Sequence, residues 1–220
     1  MKIGILGTGM VGSALGTALV ERGHSVMMGS RSADNPKAAE WMAKAGANAS
    51  QGTFADAAQF GAVVLNCTSG GVSLEALEMA GAKNLASKIL IDVANPLDFS
   101  HGMPPTLSVC NTDSLGEQIQ NAFPDAKVVK TLNTVNASLM TNPKLVPGDH
   151  VLFICGNDAA AREQVTTWLN EWFGWEKKNV LDMGDITNAR ATEMLLPIWI
   201  RLYGKFQSPM FNFQIARANG

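Results

Sequence analysis

The sequence has little that would tie it to a polyanion, a membrane or an oxidising compartment. Its 17 Lys and Arg are set against 19 Asp and Glu, a net charge of −2, so there is no basic field to gather the phosphate contacts on which nucleic-acid binding depends. Three cysteines, Cys67, Cys110 and Cys155, are odd in number and far apart. They make neither a disulfide framework nor a clustered metal site, and a reducing compartment is expected. No run reaches the ~20 apolar residues of a membrane span. Met1 and Lys2 lead straight into a short apolar run and then glycines, without the longer apolar stretch and small-residue cleavage site of a secretory leader, so the cytoplasm is the expected location.

What is present is a compact, enzyme-like composition: 220 residues, 46% hydrophobic, 16% charged, with 21 glycines. A chain of this length buries roughly 70% of its unfolded surface as one large α/β domain. Short β-rich runs alternate with helical patterns, the signature of βαβ units and a mostly parallel sheet. Strands are expected near residues 2–7, 25–29, 62–67, 88–93, 127–131 and 150–155, with weaker ones near 47–49 and 178–182. Runs such as Ala62-Val63-Val64-Leu65 and Val151-Leu152-Phe153-Ile154 are apolar throughout, as strands buried on both faces must be. Helices are expected over 10–22, 36–45, 53–59, 72–80, 113–122, 158–173 and 186–203, with Asp113 and Asp158 as N-cap or first-turn acids. The irregular stretch 94–112 exceeds the usual loop and is a candidate active-site lid.

The segment Gly7-Thr8-Gly9-Met10-Val11-Gly12 follows the first strand and opens the first helix. Gly7 allows the tight turn, Gly9 lets the backbone approach a pyrophosphate, and Gly12 lets the helix pack closely on the strand. The helix start meanwhile aims free N–H groups at the phosphates. The fold class that follows is α/β, a Rossmann-type doubly wound sheet with a C-terminal helical extension, divided at 1–184 and 185–220. The second strand ends Gly29-Ser30-Arg31, where an NAD-selective site would place a carboxylate for the ribose hydroxyls. Ser30 can donate and Arg31 offers a permanently charged fork, so NADP is favoured over NAD. Lys37 could add charge there, although a solvated helix lysine is at least as good a reading.

In a doubly wound sheet, ligands sit outside the carboxyl ends of the strands. That selects Cys67, Thr68 and Ser69 after the strand near 62–67, Asn95 and Pro96 after that near 88–93, and Asn133 after that near 127–131. These residues are small, neutral and hydrogen-bonding, as a floor for a nicotinamide should be. No catalytic acid–base or metal-ligating constellation emerges. His24 and His150 read as structural, His101 lies in the long loop as a weak proton-relay candidate, and Cys67 reads as a small buried residue. A hydride passing directly between two rings needs positioning and water exclusion more than a side-chain acid.

Together with Val129-Lys130-Thr131-Leu132-Asn133-Thr134, Cys155-Gly156-Asn157-Asp158 and Asp185-Ile186-Thr187-Asn188-Ala189-Arg190, these motifs make the chain resemble the NADP oxidoreductases dependent on the deazaflavin coenzyme F420. The resemblance spans nearly the whole chain. It implies a Rossmann domain with a C-terminal helical extension, a dimer, and NADPH held with Thr8, Ser30 and Arg31 around its 2′-phosphate. The loop His101-Gly102-Met103-Pro104-Pro105 falls outside the pattern and leaves the second substrate open between deazaflavin and flavin. Similar dinucleotide domains also occur in metalloreductases that pass electrons through flavin.

The stretch Met194-Leu195-Leu196-Pro197-Ile198-Trp199-Ile200 is apolar almost all round a helix, which Pro197 should kink or start. A symmetric dimer contact is slightly preferred to an intramolecular core, with Phe206, Met210, Phe211 and Phe213 closing an apolar roof over the nicotinamide. The resulting expectation is an NADPH-dependent oxidoreductase with a small planar redox partner. A flavin-linked metal reductase and a non-catalytic NADP(H)-sensing dimer are the alternatives. Imine and hydroxy-acid reductases, which carry a large second helical domain, are disfavoured.

Overall fold

A computed structural model of the chain describes residues 1–218. In chain order the elements are β1 (Lys2–Leu6), α1 (Met10–Glu21), β2 (Ser25–Ser30), α2 (Pro36–Ala45), β3 (Ala49–Thr53), α3 (Phe54–Phe60), β4 (Val63–Asn66), α4 (Ser73–Ala80), α5 (Ala82–Leu85), β5 (Ile89–Asp92), β6 (Leu97–Asp98), β7 (Thr106–Leu107), α6 (Leu115–Ala122), β8 (Lys127–Thr131), α7 (Ala137–Thr141), β9 (Leu152–Cys155), α8 (Ala159–Phe173), β10 (Val180–Asp182), α9 (Ala189–Met194) and α10 (Leu196–Phe206).

One eight-stranded sheet carries the fold, in the order β10-β9-β8-β5-β4-β1-β2-β3. The chain starts at β1, winds outward through β2 and β3, then returns to the other side of β1 to lay down β4, β5 and β8. The reversal of direction between β1 and β4 opens a crevice at their carboxyl ends. All neighbours are parallel except β8 and β9, which run antiparallel with Lys130 opposite Cys155. The connection into β9 contains only the five-residue α7 and a short 3-10 turn. It never returns to the amino edge, which a parallel crossover would require.

Helices cover both faces. Ile3, Ile5, Val26, Met28, Val63 and Leu65 face a core shared with α1, α2 and α8, while Leu6, Val64, Leu90 and Val128 face α3, α4 and α6. Local chemistry sets the helix ends. Asn35 accepts from Lys37 N and Ala38 N at 3.0 and 3.2 Å, with Pro36 pre-set for the first turn of α2. Thr53 and Asp56 form a reciprocal capping box on α3. Asp158 accepts from Ala161 N at 2.8 Å, and Gly174, in the left-handed region, ends α8.

Two of the expected helix boundaries are corrected. Asp113 does not cap α6. Ser114 does, its hydroxyl accepting from Glu117 N at 3.1 Å and donating to the Glu117 carboxylate at 2.7 Å, while Asp113 takes the Gln118 amide. The single helix expected over 186–203 is broken into a 3-10 turn at Ile186–Asn188, then α9, then α10. Pro197 lies in the first turn of α10, where its missing N–H costs nothing; inside one continuous helix it would have clashed with the carbonyl of Glu193. The stretch 94–112 is not wholly irregular, since β6 and β7 pair antiparallel within it, Leu97 against Leu107. No helix among the described residues is long and apolar enough to cross a membrane.

Candidate functional site

A cavity of ≈ 270 Å3 occupies the crevice at the carboxyl ends of β1 and β4. Its glycine-rich rim is built as the spacing predicts. Gly7 sits at φ +112°, and a side chain there would meet the Cys67 carbonyl oxygen at 2.7 Å. A Cβ at Gly12 would lie 2.3 Å from the Gly7 carbonyl oxygen, so α1 can approach β1 only through hydrogen. Gly9 differs: its backbone is ordinary (φ −80°, ψ −176°) and a Cβ there would meet nothing within 4 Å. The space above Gly9 is open to the cavity. Among the described residues no side chain caps α1, so the first N–H groups of the helix, from Met10, Val11 and Gly12, are left to an outside acceptor. An open space over uncapped helical N–H groups fits a pyrophosphate.

Eight of the sequence-selected residues line this one cavity: Gly7, Thr8, Gly9, Ser30, Arg31, Cys67, Thr68 and Ser69. Arg31 is exposed and, among the described residues, enters no ion pair. Ser30 donates to the Ser32 carbonyl at 2.5 Å and accepts from Ser32 N at 3.2 Å; binding a phosphate with its hydroxyl requires leaving that turn. Met10 turns its side chain outward, 81% exposed, so only its backbone can serve the cradle. Lys37 belongs to a neighbouring depression beyond Thr8 and Gly9.

Asn95, Pro96 and Asn133 do not line the cavity. They form the adjoining floor past β5 and β8, where Asn95 Nδ2 donates to the Asn133 carbonyl at 2.8 Å and Asn133 Nδ2 donates to Asn95 Oδ1 at 3.0 Å. This exchange locks the two loops together. Gly70 packs so closely on them that a Cβ would lie 2.0 Å from the Asn95 carbonyl oxygen. Cys67 is buried, and desolvation, with the Asp92 charge adding to it, pushes its thiol far above the ordinary value. A thiol held protonated is a poor nucleophile or redox centre.

The histidines stay outside the cavity. His24 stands edge-on to Trp172 beside the amino terminus, and its pKa is lowered by burial, by the terminal ammonium and by Arg22. His150 is buried, with Nε2 near the carbonyls of Pro143 and Val146 at 3.0 and 3.1 Å and Nδ1 facing the Asn212 amide at 2.9 Å. Among the described residues, no three His, Cys, Asp or Glu side chains gather where they could hold a metal.

Sequence reasoning missed two parts. Val72, Ala76 and Met79, with Phe54, form an apolar wall of the cavity, and their spacing of i, i+4, i+7 marks one helical face at the mouth of β4. A fully buried cluster of Asp92, Lys130 and Glu193 lies behind the site. Its signal was a lysine inside the apolar run Val128-Val129-Lys130, a residue type almost never fully buried without a partner.

Fold and cleft together define a protein of the Rossmann dinucleotide-binding class, with its ligand crevice at the β1/β4 switch point. Residues 2–96 match the family model described as NADP oxidoreductase, coenzyme F420-dependent. A crystal structure from Arthrobacter sp. FB24, provisionally named an F420-dependent NADP reductase, is 52% identical with a TM-score of 0.92, over 99% of this chain and 100% of that one. The chain belongs to the family of F420-dependent NADP oxidoreductases. It is also 33% identical to rat metalloreductase STEAP3 over 90% of its own length, but it spans only 38% of that protein. An imine reductase from Myxococcus stipitatus in complex with NADP+ shares the fold alone, at 19% identity and a TM-score of 0.66 over 94% of this chain and 64% of that one.

Proposed function

We propose that the protein is an NADP(H)-dependent oxidoreductase that moves a hydride between the dinucleotide and a small planar redox partner, the deazaflavin F420 or a flavin. The observation that carries this reading is the uncapped start of α1 over open space at Gly9, in one cavity with Arg31, which enters no ion pair among the described residues, and with no carboxylate at the end of β2. The backbone at Gly7, Gly9, Met10, Val11 and Gly12 would take the pyrophosphate. Thr8, Ser30 and Arg31 would take the 2′-phosphate, and Arg31 suits it because its planar fork of N–H donors matches two phosphate oxygens. Cys67, Thr68 and Ser69, then Asn95, Pro96 and Asn133, would carry the nicotinamide end.

When bound, the dinucleotide supplies the hydride at its nicotinamide ring. The chain's own part is to bind, orient and exclude water: among the described residues no histidine or titrating thiol lines the cavity, and its carboxylate, Glu75, stands on the wall formed by α4. Orientation alone can lower a barrier by roughly 7–11 kcal/mol. The likeness to a metalloreductase supports keeping a ferric chelate among the acceptors to be tried beside F420 and the flavins. The apolar side chains left exposed on α10, Ile198 at 47% and Phe206 at 55%, support a role for residues 185–220 as dimer contact and active-site cover. This reading carries with it a cytoplasmic location and a small-molecule partner rather than nucleic acid or a membrane.

The test is NADPH oxidation by the purified protein with F420, FMN, FAD and a ferric chelate offered separately, with NADH as control. Turnover with F420 or a flavin, preferring NADPH, is the expected result. Tight NADPH binding with silence from every acceptor would replace the enzyme by an NADP(H) sensor.

A further inference from the structure

We propose that Lys130 is a positioning residue that ties the loops at the nicotinamide end of the cleft to Glu193 on α9, so that the C-terminal segment and the nicotinamide half of the dinucleotide are held as one coupled unit. The proposal rests on the dinucleotide reading above.

Lys130 sits at 0% exposure and spends its ammonium on three acceptors: Asp92 Oδ2 at 2.7 Å, Glu193 Oε1 at 2.8 Å and the Ala94 carbonyl. With all three protons donated and no path to solvent, it is not an acid or base for the reaction. Burial alone would push its pKa down, but the facing carboxylates of Asp92 and Glu193 outweigh this and hold it above the ordinary lysine value.

Two branches lead from this ammonium to the site. Asp92 Oδ1 accepts from Asn66 Nδ2 at 2.8 Å, and Asn66 Oδ1 accepts from the Thr68 hydroxyl at 2.7 Å and from Thr68 N at 3.3 Å. Thr68 lines the cavity. The second branch runs through the Ala94 carbonyl into Asn95, whose side chain exchanges hydrogen bonds with Asn133.

The other end belongs to the C-terminal segment. Glu193 Oε2 accepts from Leu115 N at 2.9 Å and Oε1 accepts from Gly116 N at 3.0 Å, at the start of α6. One residue of α9 thus closes a circuit of buried charge that reaches the floor of the cleft, three residues before the apolar α10 begins. A scaffold that needed only stability could fill this volume with leucine, because a buried ion pair seldom outperforms apolar packing. What the ions add is direction: the ammonium satisfies all three acceptors only when the cleft loops, α6 and α9 are in one arrangement. Two elements that share one such arrangement are coupled, and the coupling is reciprocal.

The experiment compares two probes on wild type, Glu193→Gln and Lys130→Met. Adenosine 2′,5′-bisphosphate reaches only the Arg31 end, whereas NADPH reaches both ends. Wild type that bound neither would sink the dinucleotide reading itself. Given binding, Glu193→Gln is expected to weaken NADPH on the order of 10-fold, within the range typical of coupled sites, while leaving the bisphosphate unchanged. Lys130→Met should do the same more strongly; should it fail to fold, the isosteric Glu193→Gln still decides. A role in stability alone would lower the melting temperature without altering the ratio of the two affinities, and an unaltered ratio overturns the proposal. In wild type, NADPH should also slow amide exchange in α9 and α10, where the bisphosphate should not. Equal protection by both probes, or by neither, overturns it too.

Discussion

Substituting the three glycines of the cradle one at a time by alanine should separate binding from folding. Gly9→Ala adds a methyl group that meets no protein atom within 4 Å, on a backbone any residue adopts. Losing glycine from the unfolded chain stabilises by roughly 0.4–1 kcal/mol, and alanine is a poorer N-cap than glycine by a similar amount. The two offset, so stability should stay within about 1 kcal/mol, a melting shift of no more than about 2–4 °C for a chain this size. Binding is another matter, because the methyl occupies the space where a pyrophosphate oxygen must approach the α1 amides. The loss of one charge-assisted hydrogen bond, about 1.5–3 kcal/mol, weakens NADPH roughly 10–150-fold. Gly12→Ala must instead push α1 off the Gly7 carbonyl, 2.3 Å away, an overpacking cost of roughly 1–3 kcal/mol. Gly7→Ala combines a left-handed backbone with a 2.7 Å contact to the Cys67 carbonyl. Thermal unfolding without ligand, followed by calorimetric NADPH titration, reads both quantities. The reasoning is refuted if Gly9→Ala melts as early as Gly12→Ala, or if it binds NADPH like wild type.

The remaining predictions concern the far end of the cavity, the C-terminal segment and acid stability. Arg31→Ala should weaken NADPH by about 1.5–3 kcal/mol, the range for a hydrogen bond to a charged group, and leave NADH nearly unchanged; equal losses in parallel titrations would remove Arg31 from the 2′-phosphate. Truncation after Gly204 should lower both turnover and oligomeric mass in light scattering, because it removes Pro209, whose carbonyl accepts from Asn136 Nδ2 at 2.9 Å, and Phe213, whose carbonyl accepts from Val151 N at 2.8 Å. Unchanged values would leave the segment without a role as cover or contact. The capping aspartates Asp56 and Asp158 sit below the ordinary carboxylate value of 3.8, held there chiefly by side-chain hydrogen bonds from Thr53 and Lys127 respectively. A carboxylate depressed in the folded state contributes stability above its unfolded pKa and loses it as pH falls through the folded one. The urea midpoint should therefore drop as pH falls from about 5 to 3, and the double variant Asp56→Asn, Asp158→Asn should flatten that slope.

Much of the architecture was legible because the signals were local. The apolar runs marked the six inner strands of the sheet, since each is short, largely buried and bounded by helical periodicity; the edge strands were marked less well, β10 through 178–182 and β3 at Ala49 alone, because Ser50, Gln51 and Thr53 are polar and only half-buried. The cradle was legible because three glycines at fixed spacing each answer a separate steric demand. The helices α5 and α7 went unseen: four and five residues are too few for a periodic signal. The break between α9 and α10 was signalled by Pro197 alone, since Met194 to Ile200 is apolar whether or not the helix is continuous; the choice between a kink and a fresh start needed the structure, which puts Pro197 in the first turn of α10. The apolar wall of Val72, Ala76 and Met79 needed the placement of α4 against the cleft. The Asp92, Lys130 and Glu193 cluster needed more still, because its members lie 38 and 63 residues apart and meet only once the sheet is assembled.

If this cleft aligns a dinucleotide for direct hydride transfer to a planar partner, the hydrogen passes from ring to ring without exchanging with solvent. The measurement that tests it most directly is a single turnover of NADPH deuterated at the transferable nicotinamide position, with F420 as acceptor and the label followed into the product by mass spectrometry. Deuterium is expected on the reduced deazaflavin, with a primary isotope effect on the observed rate. Reduction of F420 carrying only solvent hydrogen, or NADPH bound tightly with no transfer to F420 or to any flavin, would contradict it.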